Sequence, residues 1–450
     1  MSQVGGGPPG TDAAAEATYV VRGGRPLAGT IEMPGDKSIS HRALLLAALA
    51  EGTSTITGLS PGEDVARSVD AVAALGAEVT PREAGLTVRG GRSRLHPPAH
   101  PVDLGNAGTA MRLLAGVAAG LPGNTTLTGD DSLRGRPMDR VAEPLIRMGA
   151  AVEGVGARCL PPIVVTGGEL QGIEYTTPMA SAQVKSAVIL AGLTARGDTV
   201  VREPVATRAH TEEMLAAAGA DIECRREGGG RVIRVRASTL EPGEFTVPGD
   251  PSQAAFWLVG SIIIPGSLVT VIGIQLGTER LGFLGALRRM GATIEVEEAG
   301  GGTGSVTGYC CRLHGTVVEA GEIPSLDEVP ILAVAAVGAE GRTRFCQVGE
   351  LRVKESDRFA ATLELVRAFG GVADAEGDDL VVEGTGEPLR PARFDAGGDH
   401  RMAMAAAIAG AACPGPTSLT TVDGWASVAT SYPAFADDLA RLTGGTGVGG

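Results

Sequence analysis

Six times along its 450 residues the chain repeats one order of segments: an apolar Ala/Leu helix pattern, a Gly or Pro-Gly turn, then a Thr/Val strand pattern. The copies run through RALLLAALAEGTSTITGL, MRLLAGVAAGLPGNTTLTG, KSAVILAGLTARGDTVVRE, AAFWLVGSIIIPGSLVTVIGI, PILAVAAVGAEGRTRFCQV and MAMAAAIAGAACPGPTSLTTV. Their turn glycines, Gly52, Gly123, Gly197, Gly266, Gly341 and Gly415, lie 71, 74, 69, 75 and 74 residues apart, a period that marks internal repetition. A second glycine follows each by 22 to 29 residues, at Gly76, Gly149, Gly219, Gly291, Gly370 and Gly444, where an amphipathic helix pattern closes. Glycine there fits the left-handed residue that ends a helix. Each unit is thus a mixed α/β module, and a module of about 72 residues buries too little surface to stand alone. Units must share cores. Pro34-Gly35-Asp36 recurs as Pro248-Gly249-Asp250, three units later, so the simplest parse is two halves of three units each.

Charge narrows the partners. With 52 acidic against 38 basic residues the chain carries −14, a surface that repels nucleic acid and anionic membranes. An anionic ligand must therefore be held by a local basic cluster. The uncharged run from Pro251 to Thr278 is broken by Pro265-Gly266-Ser267 and predicts a helix followed by a strand, not a membrane span. Residues 1–17 read as a Gly/Pro/Ala tail with no basic residue before Arg22 and no apolar core, so no export signal is expected and the protein is placed in the cytoplasm. Cys159, Cys224, Cys310, Cys311, Cys346 and Cys413 have no CxxC or Cys/His spacing; they are expected to be reduced core thiols, with no metal site. The Gly300 to Gly304 run lacks GK[ST] and predicts a hairpin loop.

Lysine occurs only at Lys37, Lys185 and Lys354, and asparagine only at Asn106 and Asn124. A surviving lysine marks a place where arginine does not replace a compact, titratable ammonium. Unusual polar residues cluster just before the first helix of a unit (Asp36-Lys37-Ser38-Ile39-Ser40-His41-Arg42, Asn106-Ala107-Gly108-Thr109, Ser181-Ala182-Gln183, Asp327-Glu328, Asp399-His400-Arg401) or before the second (Arg134 to Pro137, Arg208, Lys354 to Arg358). Repeats packed around an axis bring such helix starts together, and helix N-termini favour anions. Singly, Ser38, Ser40, Asn106, Ser181 and Asp399 are as well explained as N-caps, and Arg112 and Arg288-Arg289 as solvated faces. Jointly they predict a site for small, multiply charged phosphates or carboxylates. His41, His210 and His400 lack metal spacing and are expected to orient other groups.

PGDKSISHRALLLAAL, LGNAGTAMRLLAG, DDSLRGRPM, ASAQVKSAVILAGL, DEVPILAVAA, LRVKESDR and GDHRMAMA, in that order, resemble the 5-enolpyruvylshikimate-3-phosphate synthase family of enolpyruvyl transferases, from about residue 20 to 440. The resemblance implies an α/β, two-domain enolpyruvyl transferase fold: six βαβαββ repeats, three per domain, with pseudo-threefold symmetry. The domains are expected at 1–35 plus 249–450 and at 36–248, with hinges near Gly35 and Pro248. It implies transfer of the enolpyruvyl group of phosphoenolpyruvate to shikimate 3-phosphate by a monomer without cofactor, inhibited by glyphosate. Carried over by motif, Lys37, Ser38, Arg42, Ser181, Ala182, Gln183, Arg208, Asp327 and Lys354 would meet shikimate 3-phosphate. Lys37, Asn106, Gly108, Arg136, Gln183, Arg358 and Arg401 would hold phosphoenolpyruvate.

Catalysis would rest on Lys37, Asp327, Lys354 and Glu355. Asp327 would accept the hydroxyl proton with Lys354 orienting it, and Lys37 and Glu355 both remain candidates for proton transfer at the methylene carbon. Two departures stand out. Ala209 replaces the acid of a TRDHTE pattern, and the stretch Ala429 to Pro433 lacks a lysine that another branch places against the phosphate. The rivals are the related transferase acting on UDP-N-acetylglucosamine, whose matching loop usually carries a cysteine absent from DDSLRGRP, and a non-enzymatic anion-binding scaffold.

Overall fold

The computed structural model describes residues 17–444, so the tail expected over residues 1–17 lies outside it but for Ala17. Both landmarks of the repeat appear where the sequence sets them. All twelve landmark glycines have positive φ, between 66° and 138°. At Gly149 (φ 109°) the reason is explicit: it closes the helix Asp139–Met148 in the left-handed conformation, its N–H donating to the carbonyl of Ile146. The first helices of the units, Lys37–Leu49, Gly108–Ala119, Ala182–Gly192, Pro251–Ile263, Val329–Val337 and His400–Ala412, are apolar on nearly every side and almost wholly buried. The second helices, such as Asp139–Met148 and Gly282–Arg289, bury one face only and lie outside.

Among the described residues five units have a four-stranded sheet in which one short strand runs parallel to its neighbour and the other pairings are antiparallel; the sixth sheet has three strands. The parallel strand is not always local. Ala28–Glu32 pairs with Leu268–Gln275, and Tyr19–Arg22 pairs antiparallel with Leu419–Asp423, so the N-terminal strands complete sheets of the second half. Glu244–Thr246 returns to pair with Gly52–Thr57. Two separate hydrophobic cores result. One takes Val21, Leu27, Ile31 and Met33 together with residues from Ala254 to Leu442. The other runs from Ile39 to Val247.

The chain passes between the cores twice, and the two passages are the paired copies of Pro-Gly-Asp. Asp36 N donates to Pro248 O at 2.7 Å, and Asp250 N donates to Pro34 O at 2.9 Å. Gly35 is required there, because a Cβ would stand 1.8 Å from the carbonyl oxygen of Gly58.

The run from Pro251 to Thr278 divides as expected, into the helix Pro251–Ile263 and the strand Leu268–Gln275, and no helix among the described residues is long and apolar enough to cross a membrane. Gly300, Gly301 and Gly302 form the hairpin turn between Thr293–Gly300 and Thr303–Tyr309. The cysteine expectation needs correction. All six are free thiols, but only Cys413 is buried, and Cys224 and Cys310 are exposed on strand surfaces or ends where the apolar period does not demand burial.

Candidate active site

The N-termini of all six first helices border one cleft between the two cores, through Lys37 and Ser38, Gly108 and Thr109, Ala182 and Gln183, Ser252, Asp327, and Arg401. The cleft encloses about 330 Å³. A second ring comes from the entries to the second helices. Asp64, Arg136, Arg208, Arg280 and Lys354 all line the cleft, and they lie 72, 72, 72 and 74 residues apart. One position of the repeat thus supplies a charged side chain from five of six units. The lining holds eight cationic and five acidic side chains, a local positive excess on a chain of net charge −14.

Twelve of the fifteen expected site residues line the cleft: Lys37, Ser38, Gly108, Arg136, Ser181, Ala182, Gln183, Arg208, Asp327, Lys354, Glu355 and Arg401. Arg42, Asn106 and Arg358 stand behind them. Arg42 is buried and donates to Ser38 O (2.9 Å), Thr211 Oγ1 (2.7 Å) and Ser186 Oγ (2.9 Å), so it supports the Ser38 backbone. Asn106 Oδ1 accepts from Arg136 Nη2, and its amide nitrogen donates to Asp130 at 2.9 Å. Arg358 is fully buried and joins three carboxylates, Asp327 (3.1 Å), Glu355 (2.5 Å) and Asp399 (2.9 Å). As N-caps, Ser181 and Asp399 behave as their residue type allows, whereas Ser38 and Ser40 lie inside a helix that Asp36 caps.

Both lysines that line the cleft have a close partner. Lys37 Nζ lies 2.9 Å from Asp64, and Lys354 Nζ donates to Ser325 O at 3.0 Å. Burial alone would raise the Asp327 carboxyl, but Arg401, Lys354, Arg358 and Arg208 outweigh it and hold Asp327 far below the usual carboxylate range. Glu355 is likewise raised by burial and pulled well below it by Arg358 and Arg136. Burial lowers Lys354, opposed by Asp327. His41, whose Nδ1 is 2.7 Å from Ser68 Oγ, is pushed down to about 3 by burial and by Lys37 and Arg42, and is therefore neutral. Among the described residues Arg136 Nε and Arg401 Nη1 are buried donors without a partner, the state expected of groups meant for an anionic ligand.

Several cleft residues escaped sequence reasoning. Arg112, expected on a solvated face, points into the cleft and donates to Gln183 Oε1 at 2.6 Å, while Gln183 Nε2 donates to Thr109 Oγ1 at 2.8 Å. The signal was present, since Gly108 and Arg112 share a helix face at i, i+4. Asp64 and Arg280 were equally available from the 72-residue register of Arg136 and Arg208. Arg140 and Glu350, paired at 3.1 Å between the two halves, carry no such signal. None of the six cysteines lines the cleft, and no cluster of three metal-ligating side chains exists among the described residues.

Paired three-unit cores closing helix starts onto a shared cationic cleft define the fold of the enolpyruvyl transferases. The enolpyruvyl transferase NikO from Streptomyces tendae has this fold, with a TM-score of 0.74 at 19% identity over 95% of this chain and 98% of that one. The chain belongs to the family described as EPSP synthase (3-phosphoshikimate 1-carboxyvinyltransferase), whose profile matches residues 21–439. It is 44% identical to the 3-phosphoshikimate 1-carboxyvinyltransferase of Gluconobacter oxydans, over 93% of this chain and 96% of that protein. It is 45% identical to that of Caulobacter vibrioides, over 94% and 97%. The EPSP synthase structure from Acinetobacter baumannii matches with a TM-score of 0.80 at 36% identity, covering 94% of this chain and 98% of that one.

Proposed function

We propose that this chain transfers the enolpyruvyl group of phosphoenolpyruvate to the 5-hydroxyl of shikimate 3-phosphate and releases phosphate. The observation that carries the reading is the gathering of twelve motif residues from five of the six units into one cationic cleft of an otherwise acidic chain. Family membership supports the same activity. The alternative transferase, which usually relies on a reactive cysteine, is disfavoured because no thiol lines the cleft.

Chemistry follows from where charge must appear. Protonating the methylene carbon of phosphoenolpyruvate builds positive charge on the adjacent carbon. The 5-hydroxyl attacks that carbon and gives up its proton. Loss of phosphate, with a proton leaving the new methyl group, restores the double bond. The reaction needs an acid and bases at opposite ends of a small cavity.

Asp327 would accept the hydroxyl proton, with Lys354 orienting it. With Arg401 and Arg358 3.4 and 3.1 Å away, Asp327 is too acidic to be a good base. A phosphoenolpyruvate carboxylate shared by these two arginines would divert their charge and strengthen Asp327 only when phosphoenolpyruvate is bound. Lys37 Nζ pairs with Asp64 at 2.9 Å, while Arg358 and Arg136 hold Glu355 as a carboxylate. That division favours Lys37 as the donor to the methylene carbon and Glu355 as the group that later takes a proton. Arg112 and Arg140 add two cations to a phosphate region in which the stretch Ala429 to Pro433 supplies none.

A cytoplasmic monomer, hinged near Gly35 and Pro248 between domains 36–248 and 1–35 plus 249–450, and inhibited by glyphosate in competition with phosphoenolpyruvate, belongs to the same proposal. It is tested by phosphate release from phosphoenolpyruvate with and without shikimate 3-phosphate. Turnover should require both substrates and survive EDTA. Consumption of phosphoenolpyruvate alone at the full rate, or abolition by EDTA, would overturn it.

A further inference from the structure

Arg280 is, with Asp64, one of two members of the 72-residue ring to which no motif gives a role, and its surroundings are unlike those of Arg136 or Arg208. It sits where the chain crosses between its halves. Its Nη2 lies 2.8 Å from Asp36 Oδ2 and 2.7 Å from Asp250 Oδ1, with all three side chains at most 4% exposed. These two carboxylates cap the first helix of each half, Asp36 accepting from Ile39 N at 2.9 Å and Asp250 from Ser252 N at 2.8 Å. One guanidinium therefore ties the starting helix of one half to that of the other.

A chain of hydrogen bonds leads onward. Arg280 Nη2 donates to Ser252 Oγ at 3.2 Å, and Ser252 Oγ donates its own proton to Glu328 Oε1. Glu328 Oε2 accepts from Ser325 Oγ at 2.8 Å, and Ser325 Oγ in turn accepts from Asp327 N at 3.4 Å. Ser325 O receives Lys354 Nζ at 3.0 Å. Each hydroxyl donates once and accepts once, so the chain is consistent in every proton. Ser252, Glu328 and Ser325 are buried. Leu326, within the loop, has φ 59°, a conformation that a branched side chain keeps only where its neighbours impose it.

We propose that Arg280 is a positioning residue: it fixes the crossing point and, through Ser252, Glu328 and Ser325, sets the placement of Lys354 and Asp327. The proposal rests on the enolpyruvyl-transfer reading for its kinetic consequence, not for its structural one. Its distinctive claim is that a change at Ser252, which reaches Lys354 only through Glu328 and Ser325, is felt at that particular lysine.

Because the chain has only three lysines, labelling lysine with 13C at Cε gives three side-chain signals, assignable by Lys→Arg variants. Ser252→Ala breaks the chain of hydrogen bonds and leaves both helix caps and the Arg280 ion pairs in place. It should move the Lys354 signal, leave the Lys185 signal where it is, and lower kcat at least fivefold with KM for shikimate 3-phosphate within twofold. Arg280→Lys should do the same, and the double variant should lose no more than the worse single one, since both break one path. A stationary Lys354 signal, an unchanged kcat, or losses that multiply in the double variant would overturn the proposal. If Arg280→Lys does not fold, Ser252→Ala and Glu328→Gln carry the test with the caps intact. A wild-type protein with no turnover would refute the activity, and the Lys354 signal would still decide the placement.

Discussion

Lys185 and Lys37 both stand in the first turn or so of a unit's first helix, yet one serves architecture and the other faces the cleft. Lys185 is wholly buried and spends its ammonium on Glu203 (2.8 Å), Glu212 (2.7 Å) and the carbonyl of Arg208 (3.1 Å). Lys37 is 13% exposed, pairs among the described residues with Asp64 alone at 2.9 Å, and borders the cleft beside arginines that keep donors unpartnered among those residues. Gln183, two residues before Lys185 and so about 200° round the helix, lines the cleft from which Lys185 is turned away. Scarcity of lysine marked both residues; what separates them is saturation. A charge whose partners exhaust its donors holds structure, and one with capacity left over is free to take a ligand.

The largest effect that tests this contrast is on stability. Lys185→Met leaves two buried glutamates unopposed and should cost about 3–5 kcal/mol, read as a fall in the denaturant midpoint. Adding Glu203→Gln and Glu212→Gln should restore most of it. A Lys185→Met protein as stable as wild type would break the comparison. Next is Asp327→Asn, which removes the proposed base and should lower kcat about a hundredfold without moving that midpoint downward.

Acid sensitivity comes third. His41 is neutral when folded because burial holds its pKa at about 3 against 6.5 for the ordinary value. The unfolded state therefore binds one more proton between those values, and stability is full above about pH 6.5 and falls as pH drops toward 3, by about 1.4 kcal/mol per pH unit. In His41→Gln the denaturation profile should be shallower by that amount. Lys37→Arg and Lys354→Arg keep charge but lose the compact ammonium, and each should lower kcat by at least about tenfold, roughly 1.4 kcal/mol. Equal tolerance at all three lysines would remove the distinction.

The smallest effect concerns Gly108. A Cβ there would meet Arg136 Nη1 at 3.0 Å and Arg112 Nη1 at 3.3 Å. Gly108→Ala should raise the glyphosate inhibition constant by about tenfold, as an overpacked contact of roughly 1.4 kcal/mol would, and KM for phosphoenolpyruvate by less. An unchanged ratio would mean that Gly108 does not border the inhibitor.

Local requirements were legible in the sequence and long-range pairing was not. Gly52 and Gly149 announce themselves because a positive φ is a demand on one residue. The pairing of Tyr19–Arg22 with Leu419–Asp423 has no local signature, and only the resemblance implied that the N-terminal strands join the second half. The same division runs through the site. Lys37, Gln183 and Arg401 are legible because they open helices, whereas Arg112 reads as a solvated face although it shares a helix face with Gly108. Arg140 and Glu350 meet only because two cores face each other, and nothing in either segment could have said so.

The central claim, that this cleft joins the carbon skeleton of phosphoenolpyruvate to shikimate 3-phosphate through a transient methyl group, is tested most directly by following both substrates by NMR in D2O. The account predicts an enol ether at the 5-oxygen formed one for one with inorganic phosphate, its methylene carrying deuterium from solvent. Phosphate without the ether, or an ether whose methylene holds no deuterium, would contradict it.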